Sequence, residues 1–543
     1  MKKIKLLILS LLGGVVFLQA QNKDFEAVQK LHYVEQIIEN YYVDSVNPDH
    51  IVEEAIIAML KTLDPHSTYT NAEATKALTE PLQGNFSGIG IQFNMLDDTI
   101  RVIQTVVGGP SEKVGIIAGD RIMAANDTLI SGVKMSQADA MKHLRGPKGS
   151  VVMIKVLRKG TPEPIEFRIV RDEIPTYSVS AAYMADDDTG YIKITLFGET
   201  TVGEVKEAID KLSKQGMKDL VIDLEDNGGG YLMAAVELAE MFLDEGDMIV
   251  YTDGLNAKPT YYHNRKNGKL RDQRLVVMVN QYSASASEIF SGAIQDNDRG
   301  VIVGRRSFGK GLVQRPFPFP DGSMVRLTTS RYYTPSGRSI QKPYTSGDDS
   351  DYDLDILKRY QAGEFNSADS VHFDPNLMKS TLRLNRPVYG GGGIMPDAFV
   401  PIDTTYYTDY YRDLVAKAII TRWCIQYIDN NRNELKKLYP TEGDFVAKFE
   451  VTDSMLRSLT ELGSREGVEF NQEQFEISKP AIETVTKGLI GRDLFEQSTY
   501  YRIANTLNPN YRRAIEIINS TPEYKSMLSE PTEAKKSTNN QPI

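Results

Sequence analysis

The sequence has one cysteine, one tryptophan and six histidines in 543 residues, and no block of basic residues. Each shortage excludes something. A lone thiol cannot close an intramolecular disulfide, and it cannot build a thiolate zinc or iron–sulfur site, which needs several such ligands. His32, His50, His66, His143, His263 and His372 form no HExxH zinc helix, and a structural metal is not expected. A histidine-based triad is unsupported rather than excluded, because its members would meet only in space. With 62 Lys+Arg against 73 Asp+Glu the net charge is −11, which argues against nucleic acid as a partner, since that affinity comes from neutralising phosphates. What is present, 41% hydrophobic and 25% charged residues, is the composition of a globular chain long enough for several domains.

Residues 1–20 differ from this average. Lys2, Lys3 and Lys5 precede an uncharged run from Leu6 to Leu18, which ends in Leu18-Gln19-Ala20. A basic start, a short apolar stretch and a small-residue end make a secretory signal peptide, with cleavage near Ala20. Export to the periplasm or cell envelope follows, and the mature chain would be more acidic still. An uncleaved anchor, associating the protein with a membrane through this segment, is the other reading.

Residues 21–83 read as an N-terminal helical cap. Leu31, Val34, Ile37 and Ile38, and then Ile51, Ala55, Ile56, Met59 and Leu60, recur at helical spacing. From 84 to 174 the period becomes that of short strands, such as Arg121-Ile122-Met123-Ala124-Ala125 and Ile165 to Val170, with turns at Gly108-Gly109-Pro110 and Gly119-Asp120 and one helix from Ser136 to Leu144. Gly88-Ile89-Gly90-Ile91, Gly109-Pro110-Ser111 and Leu144-Arg145-Gly146 in this order resemble a PDZ domain. The resemblance implies that an extended peptide pairs with a sheet edge while the glycine loop, Gly88, Ile89, Gly90 and Ile91, captures its terminal carboxylate.

From Gly190 onward apolar strands alternate with helices: Leu220 to Leu224, Leu275 to Val279 and Val301 to Gly304 are strands, and Val202 to Gln215 and Ala286 to Asp296 are helices. Such alternation predicts a mostly parallel sheet, with functional groups at the carboxyl ends of its strands. Two glycine- or serine-rich segments lie there, Asp226 to Gly230 and Ser283 to Glu288. Gly304 to Lys310 fits the first positions of a P-loop, but Gly311 replaces the hydroxyl residue that would hold Mg²⁺, and Pro316 and Pro318 forbid the helix that must follow. Nucleotide binding is therefore rejected. A serine with a lysine remains. Lysine serves as a base only if kept neutral against an ordinary pKa of about 10.4, and glycines on either side of Lys310 allow the close packing that desolvates an amine. Spacing alone does not choose among Ser283, Ser285 and Ser287, and Ser285 to Glu288 also spells a helix-capping box.

Ser283 to Glu288, Phe308-Gly309-Lys310-Gly311, Gln314 and Tyr333 to Ile340 closely resemble the carboxyl-terminal processing proteases, the Ser/Lys peptidases of the tail-specific type. The resemblance spans roughly residues 30 to 400. It implies an α/β multidomain protein in which a β-rich PDZ module and a crotonase-like α/β serine protease core lie between N- and C-terminal helical regions. Ser285 would be the nucleophile, Lys310 the general base and Gln314 the group orienting the lysine, with backbone N–H groups of Ala286 and Gly229 as oxyanion hole. The core is expected over 175–403, with a charged, solvated insertion at 344–389. A C-terminal helical region follows at 404–543, its tail disordered from Thr532. The family's usual Asp-Leu-Arg-x-Asn-Pro-Gly-Gly reads Asp223-Leu224-Glu225-Asp226-Asn227-Gly228-Gly229-Gly230 here. The expected activity is that of an exported serine endopeptidase acting on proteins recognised by their C-terminal regions, and no metal or organic cofactor is implied. A non-catalytic PDZ-containing peptide-binding or envelope scaffold protein is the alternative.

Overall fold

A computed structural model describes residues 26–348 and 350–530. The expected signal segment and the expected disordered tail lie outside them. The chain divides into two compact units: one comprises the segment up to Thr75 with Gln314–Thr328 and Tyr344–Asp353, and the other comprises Lys76–Val313, Thr329–Pro343 and the chain from Leu354 on. The packing thus regroups two segments of the expected protease core with the N-terminal cap.

In the first unit, helices at 26–41 and Pro48–Lys61 match the helical spacing read from the sequence. Asn47 caps the second, its side chain accepting from the N–H groups of Asp49 and His50, with Pro48 in the first turn where a missing N–H costs nothing. Several of the periodic apolar residues remain open to solvent: Leu31, Val34 and Ile37 are 50%, 47% and 44% exposed. The turn after this helix is built on Asp64, whose carboxylate accepts from the N–H groups of His66 and Ser67 and from the hydroxyls of Ser67 and Thr328. Thr68–Thr70 then pairs antiparallel with Met324–Arg326. A helix not anticipated as a separate element, Ala72–Gln83, leads into the second unit.

The second unit contains two sheets of consequence. One has the strand order Ile91–Leu96, Thr99–Thr105, Arg121–Ala125, Val151–Leu157, Ile165–Val170, all antiparallel. Strict alternation along Val151–Leu157 buries Val152, Ile154 and Val156 against Ile100, Ile122 and Ile169, while Val151, Met153 and Lys155 face solvent. Helix Gln137–Leu144, capped by Ser136, buries Ala140 and Leu144 on the same core. Ile91–Leu96 ends the strand order and so leaves one edge unpaired within this sheet.

The other sheet runs Val179–Met184, Thr189–Ile194, Asp219–Asp223, Leu275–Val279, Val301–Gly304, Ala398–Phe399; the first pair is antiparallel and the rest are parallel. Its strands are continuous apolar runs because both faces are covered. Val277 and Val279 point to one face, with Val205, Leu212, Leu238 and Phe290 of helices Thr201–Lys214, Leu232–Ala239 and Ala286–Asp296. Val276 and Met278 point to the other, where Ala514, Ile517 and Ile518 of helix Pro509–Asn519 and Tyr524 cover them. The C-terminal chain is therefore part of the packing of this sheet. Helices Ile419–Leu438, Asp453–Arg465 and Gln472–Leu494 form a further core around Trp423, Cys424, Leu459 and Ile490. Burial pushes the Cys424 thiol pKa up, leaving it an inert core residue.

The segment expected as a solvated insertion is only partly so. Residues 346–348 are exposed, but Arg359 and Phe365 are buried, and the Arg359 guanidinium donates to the carbonyls of Arg306 and Ser307. Its charge is matched by Glu364, 3.0 Å away, so this half of the insertion braces the loop that carries Lys310.

Candidate active site

The parallel strands deliver two loops to one place. After Asp219–Asp223 the chain enters Glu225 to Gly230, and after Leu275–Val279 it enters Ser283 to Ser285 before helix Ala286–Asp296. The loops are stitched together by the serines that spacing could not rank. Ser283 Oγ donates to the Leu224 carbonyl (2.7 Å) and Ser287 Oγ to the Asn227 carbonyl (2.9 Å), and both serines are fully buried. Ser285, between them, is partly exposed.

Ser285 sits at φ 57°, ψ −114°, in a region that is costly for a residue with a Cβ and is maintained only where the surroundings over-determine it. Those surroundings are identifiable. Gly229, at φ +100°, lies so close that a Cβ there would fall 2.7 Å from Ser285 Cβ and 2.7 Å from the Ala284 carbonyl oxygen. The Gly229 N–H donates to Asn227 Oδ1 (2.9 Å). Ala286 is the first residue of the helix, where N–H groups have no intrahelical acceptor.

Glu288, completely buried, joins the serine to the lysine. Its Oε2 accepts from the N–H groups of Ser285 (2.8 Å) and Lys310 (2.9 Å), and its Oε1 from Ser307 Oγ (2.5 Å) and the Gly309 N–H (2.7 Å). The contact to Ser285 is the capping box legible in the sequence, while the others are long-range. Burial, opposed by these four donors, pushes the Glu288 pKa up to about 7. Tyr332, 1% exposed, closes the opposite side: its hydroxyl lies 2.5 Å from the Lys310 carbonyl and 3.2 Å from that of Ser285. The glycines flanking Lys310 are needed for this crowding. A Cβ on Gly309 would meet the Gly393 N at 3.1 Å, and one on Gly311 the Gln341 N at 2.9 Å. Beside them the Lys342 amine lies 3.9 Å from the centre of the Phe308 ring, and burial pushes its pKa down against the pull of Asp355.

Ser285, Ala286, Gly229 and Lys310 thus all belong to the second unit, tied by Glu288 and Tyr332. Gln314 belongs to the first, where its Nε2 donates to Thr328 Oγ1 (3.2 Å). Sequence reading named neither Tyr332 nor Glu288 as part of the site. Glu288 had a local signal in its capping-box spacing, whereas Tyr332 had none.

Glu225, where the family's usual arginine is absent, is also accounted for. It is buried, and its carboxylate accepts from Asn508 Nδ2 (2.8 Å) and Asn510 Nδ2, both at the start of helix Pro509–Asn519. Burial and the neighbouring Asp223 push its pKa up, while Lys193 pulls the other way. Arg305 adds a favourable charge; burial pushes its own pKa down, against the pull of Glu225 and Asp226.

Among the described residues no cluster of His, Cys, Asp or Glu has the arrangement of a metal site, and no helix is long and apolar enough to cross a membrane. The Gly88 to Ile91 segment lies beside the unpaired edge of Ile91–Leu96 and lines a cavity of about 280 Å³ with Phe93, Met141 and Leu144.

Comparison with known proteins bears on each part. Peptidase family S41 matches residues 188–352 and a PDZ domain matches 87–169; the N-terminal domain of the activating protease CtpB matches 17–74, and a family of unknown function matches 410–496. A carboxy-terminal-processing protease of Bartonella bacilliformis is 37% identical over 56% of this chain and 70% of its own length. The carboxy-terminal processing protease CtpA of Bacillus subtilis is 34% identical over 63% of this chain and 73% of its own. Among solved structures, a photosystem II D1 C-terminal processing protease is 30% identical over 58% of this chain and 85% of its own, with a TM-score of 0.32.

Proposed function

From the premise that the chain belongs to the carboxy-terminal processing proteases, and is thus a serine-type peptidase with a PDZ domain, we propose that it is an exported endopeptidase working through Ser285 and Lys310. The observation that carries this reading is the partition of the three serines: the hydroxyls of Ser283 and Ser287 are committed to loop carbonyls, and Ser285 stands at the strand-to-helix turn with strained backbone and partial exposure. Ser285 Oγ attacks the scissile carbonyl carbon while its proton passes to the Lys310 amine, which must be unprotonated to take it. The tetrahedral intermediate collapses, the C–N bond breaks, and Lys310 returns the proton to the leaving amine. Water then attacks the acyl-enzyme ester, Lys310 again taking a proton, and Ser285 is regenerated. The developing oxyanion is received by the Ala286 N–H at the helix start; the Gly229 N–H, which donates to Asn227 Oδ1, joins it only by releasing that bond. Gln314 is assigned the orienting role by its motif position.

Recognition belongs to the PDZ domain. A substrate's C-terminal segment adds to the free edge of Ile91–Leu96, its carboxylate directed to Gly88–Ile91. Residues 1–20 support export to the periplasm or cell envelope.

The test is cleavage of a protein with an unstructured C-terminus by the wild type and by Ser285→Ala and Lys310→Ala. Loss of cleavage in both, with retained folding, is expected; near-wild-type turnover in either overturns the dyad.

A further inference from the structure

The peptide groove of the PDZ domain is not made by the PDZ domain alone. Its cavity is lined, besides Ile89, Phe93 and Leu144, by Arg492 and Gln497 from the C-terminal helical region. That region is anchored on the PDZ sheet at separate points. Arg101 pairs with Asp429 at 2.9 Å, both largely buried, Arg422 with Asp97 at 2.7 Å, and Lys159 Nζ donates to Asn430 Oδ1 at 2.9 Å. Arg492 is itself held in place. It lies in the last turn of Gln472–Leu494, and its Nε donates to Asp493 (2.7 Å), a side chain only 4% exposed.

The charge on the groove is what a peptide terminus calls for. On the PDZ side Arg145 stacks over the Phe86 ring at 4.4 Å and pairs with Glu80 at 2.8 Å, which fixes its guanidinium. Arg492, its side chain 25% exposed, brings a second arginine to the lining of the same cavity from the C-terminal helical region. Two fixed arginines around a mainly apolar pocket complement a ligand with an apolar body and one negative end, and an arginine fork matches a carboxylate. Resting on the reading of this groove as the peptide site, we propose that Arg492 binds the terminal carboxylate of the substrate peptide. The C-terminal region, whose family match carries no known function, thereby completes the recognition site.

The experiment uses the full chain carrying Ser285→Ala to prevent turnover, and a short fluorescent peptide ending in an apolar residue, offered as the free acid and as the C-terminal amide. The parent protein is expected to bind the acid more tightly than the amide. Arg492→Gln is expected to weaken binding of the acid by about tenfold and leave the amide within about twofold, with Arg492→Lys recovering part of the loss. Undiminished preference for the acid in Arg492→Gln overturns the proposal, and so does an equal loss for acid and amide, which would mark a structural role. If the parent protein itself does not distinguish acid from amide, the groove reading fails and this proposal fails with it.

Discussion

Ser285 and Lys310 hand their backbone N–H groups to a single oxygen atom, Oε2 of Glu288, at 2.8 and 2.9 Å. Glu288 is therefore the joint between the Ser285 loop and the Lys310 loop, and its ionisation sets the strength of that joint. As a carboxylate it accepts all four donors; once protonated, one oxygen must also carry a hydrogen, and the network loses an acceptor site. With a pKa near 7, kcat/KM for a short peptide is expected to rise with pH through about 7. In Glu288→Gln the activity should be lower and this limb absent. A limb near 7 that survives in Glu288→Gln would assign it elsewhere.

Stability should move the opposite way. The folded-state pKa of Glu288 is raised above its ordinary value of 4.5, so between those values the folded state binds more protons than the unfolded. The contribution is fully present below about 4.5 and declines as pH rises through about 7. Thermal melts across this window should show wild type losing stability relative to Glu288→Gln as pH increases.

Tyr332→Phe removes the hydroxyl that bridges the Lys310 and Ser285 carbonyls. The expected cost is about 1 kcal/mol of stability, with a fall in kcat larger than any rise in KM, since the substrate groove is untouched. Steady-state kinetics beside denaturant melts check both parts.

Gly229→Ala places a Cβ 2.7 Å from Ser285 Cβ, at a φ of +100°. The loop must shift against Ser285, and cleavage is expected to fall on the order of a hundredfold, the scale of a reacting group misplaced by about 1 Å. Peptide binding to the PDZ groove should be unchanged, which separates this effect from unfolding.

Asn510→Ala leaves the buried Glu225 carboxylate short of a donor. A loss of about 1–3 kcal/mol is expected. In the double variant with Glu225→Gln the two effects should not add, because they remove the same contact. Additive losses would show that Asn510 stabilises the helix start independently.

Local patterns in the sequence carried the strands well. Arg121–Ala125, Ile165–Val170, Leu275–Val279 and Val301–Gly304 begin and end where their apolar runs and turn residues place them. Helix Ala286–Asp296 likewise follows from its capping box. The motif match singled out Ser285, Ala286, Gly229 and Lys310, and folding brings the loops that carry them together. Relationships between distant segments were not legible. Nothing near Tyr332 announces that its hydroxyl reaches two loops, and nothing near Glu225 announces Asn508 and Asn510, some 280 residues later. Helical spacing at Leu31, Val34 and Ile37 correctly gives a helix, yet periodicity does not say whether an apolar face is covered, and in this chain these side chains stay exposed. Charge in the 344–389 segment suggested solvent, but the charge of Arg359 is spent on Glu364 and two loop carbonyls.

The central claim, that Ser285 is the nucleophile and Lys310 its base, is tested most directly by acylating the protein with a serine-directed probe and locating the modified residue by peptide mass spectrometry. Labelling is expected on Ser285, not on Ser283 or Ser287, and the rate should collapse in Lys310→Ala. Labelling of either buried serine, or an undiminished rate in Lys310→Ala, would contradict it.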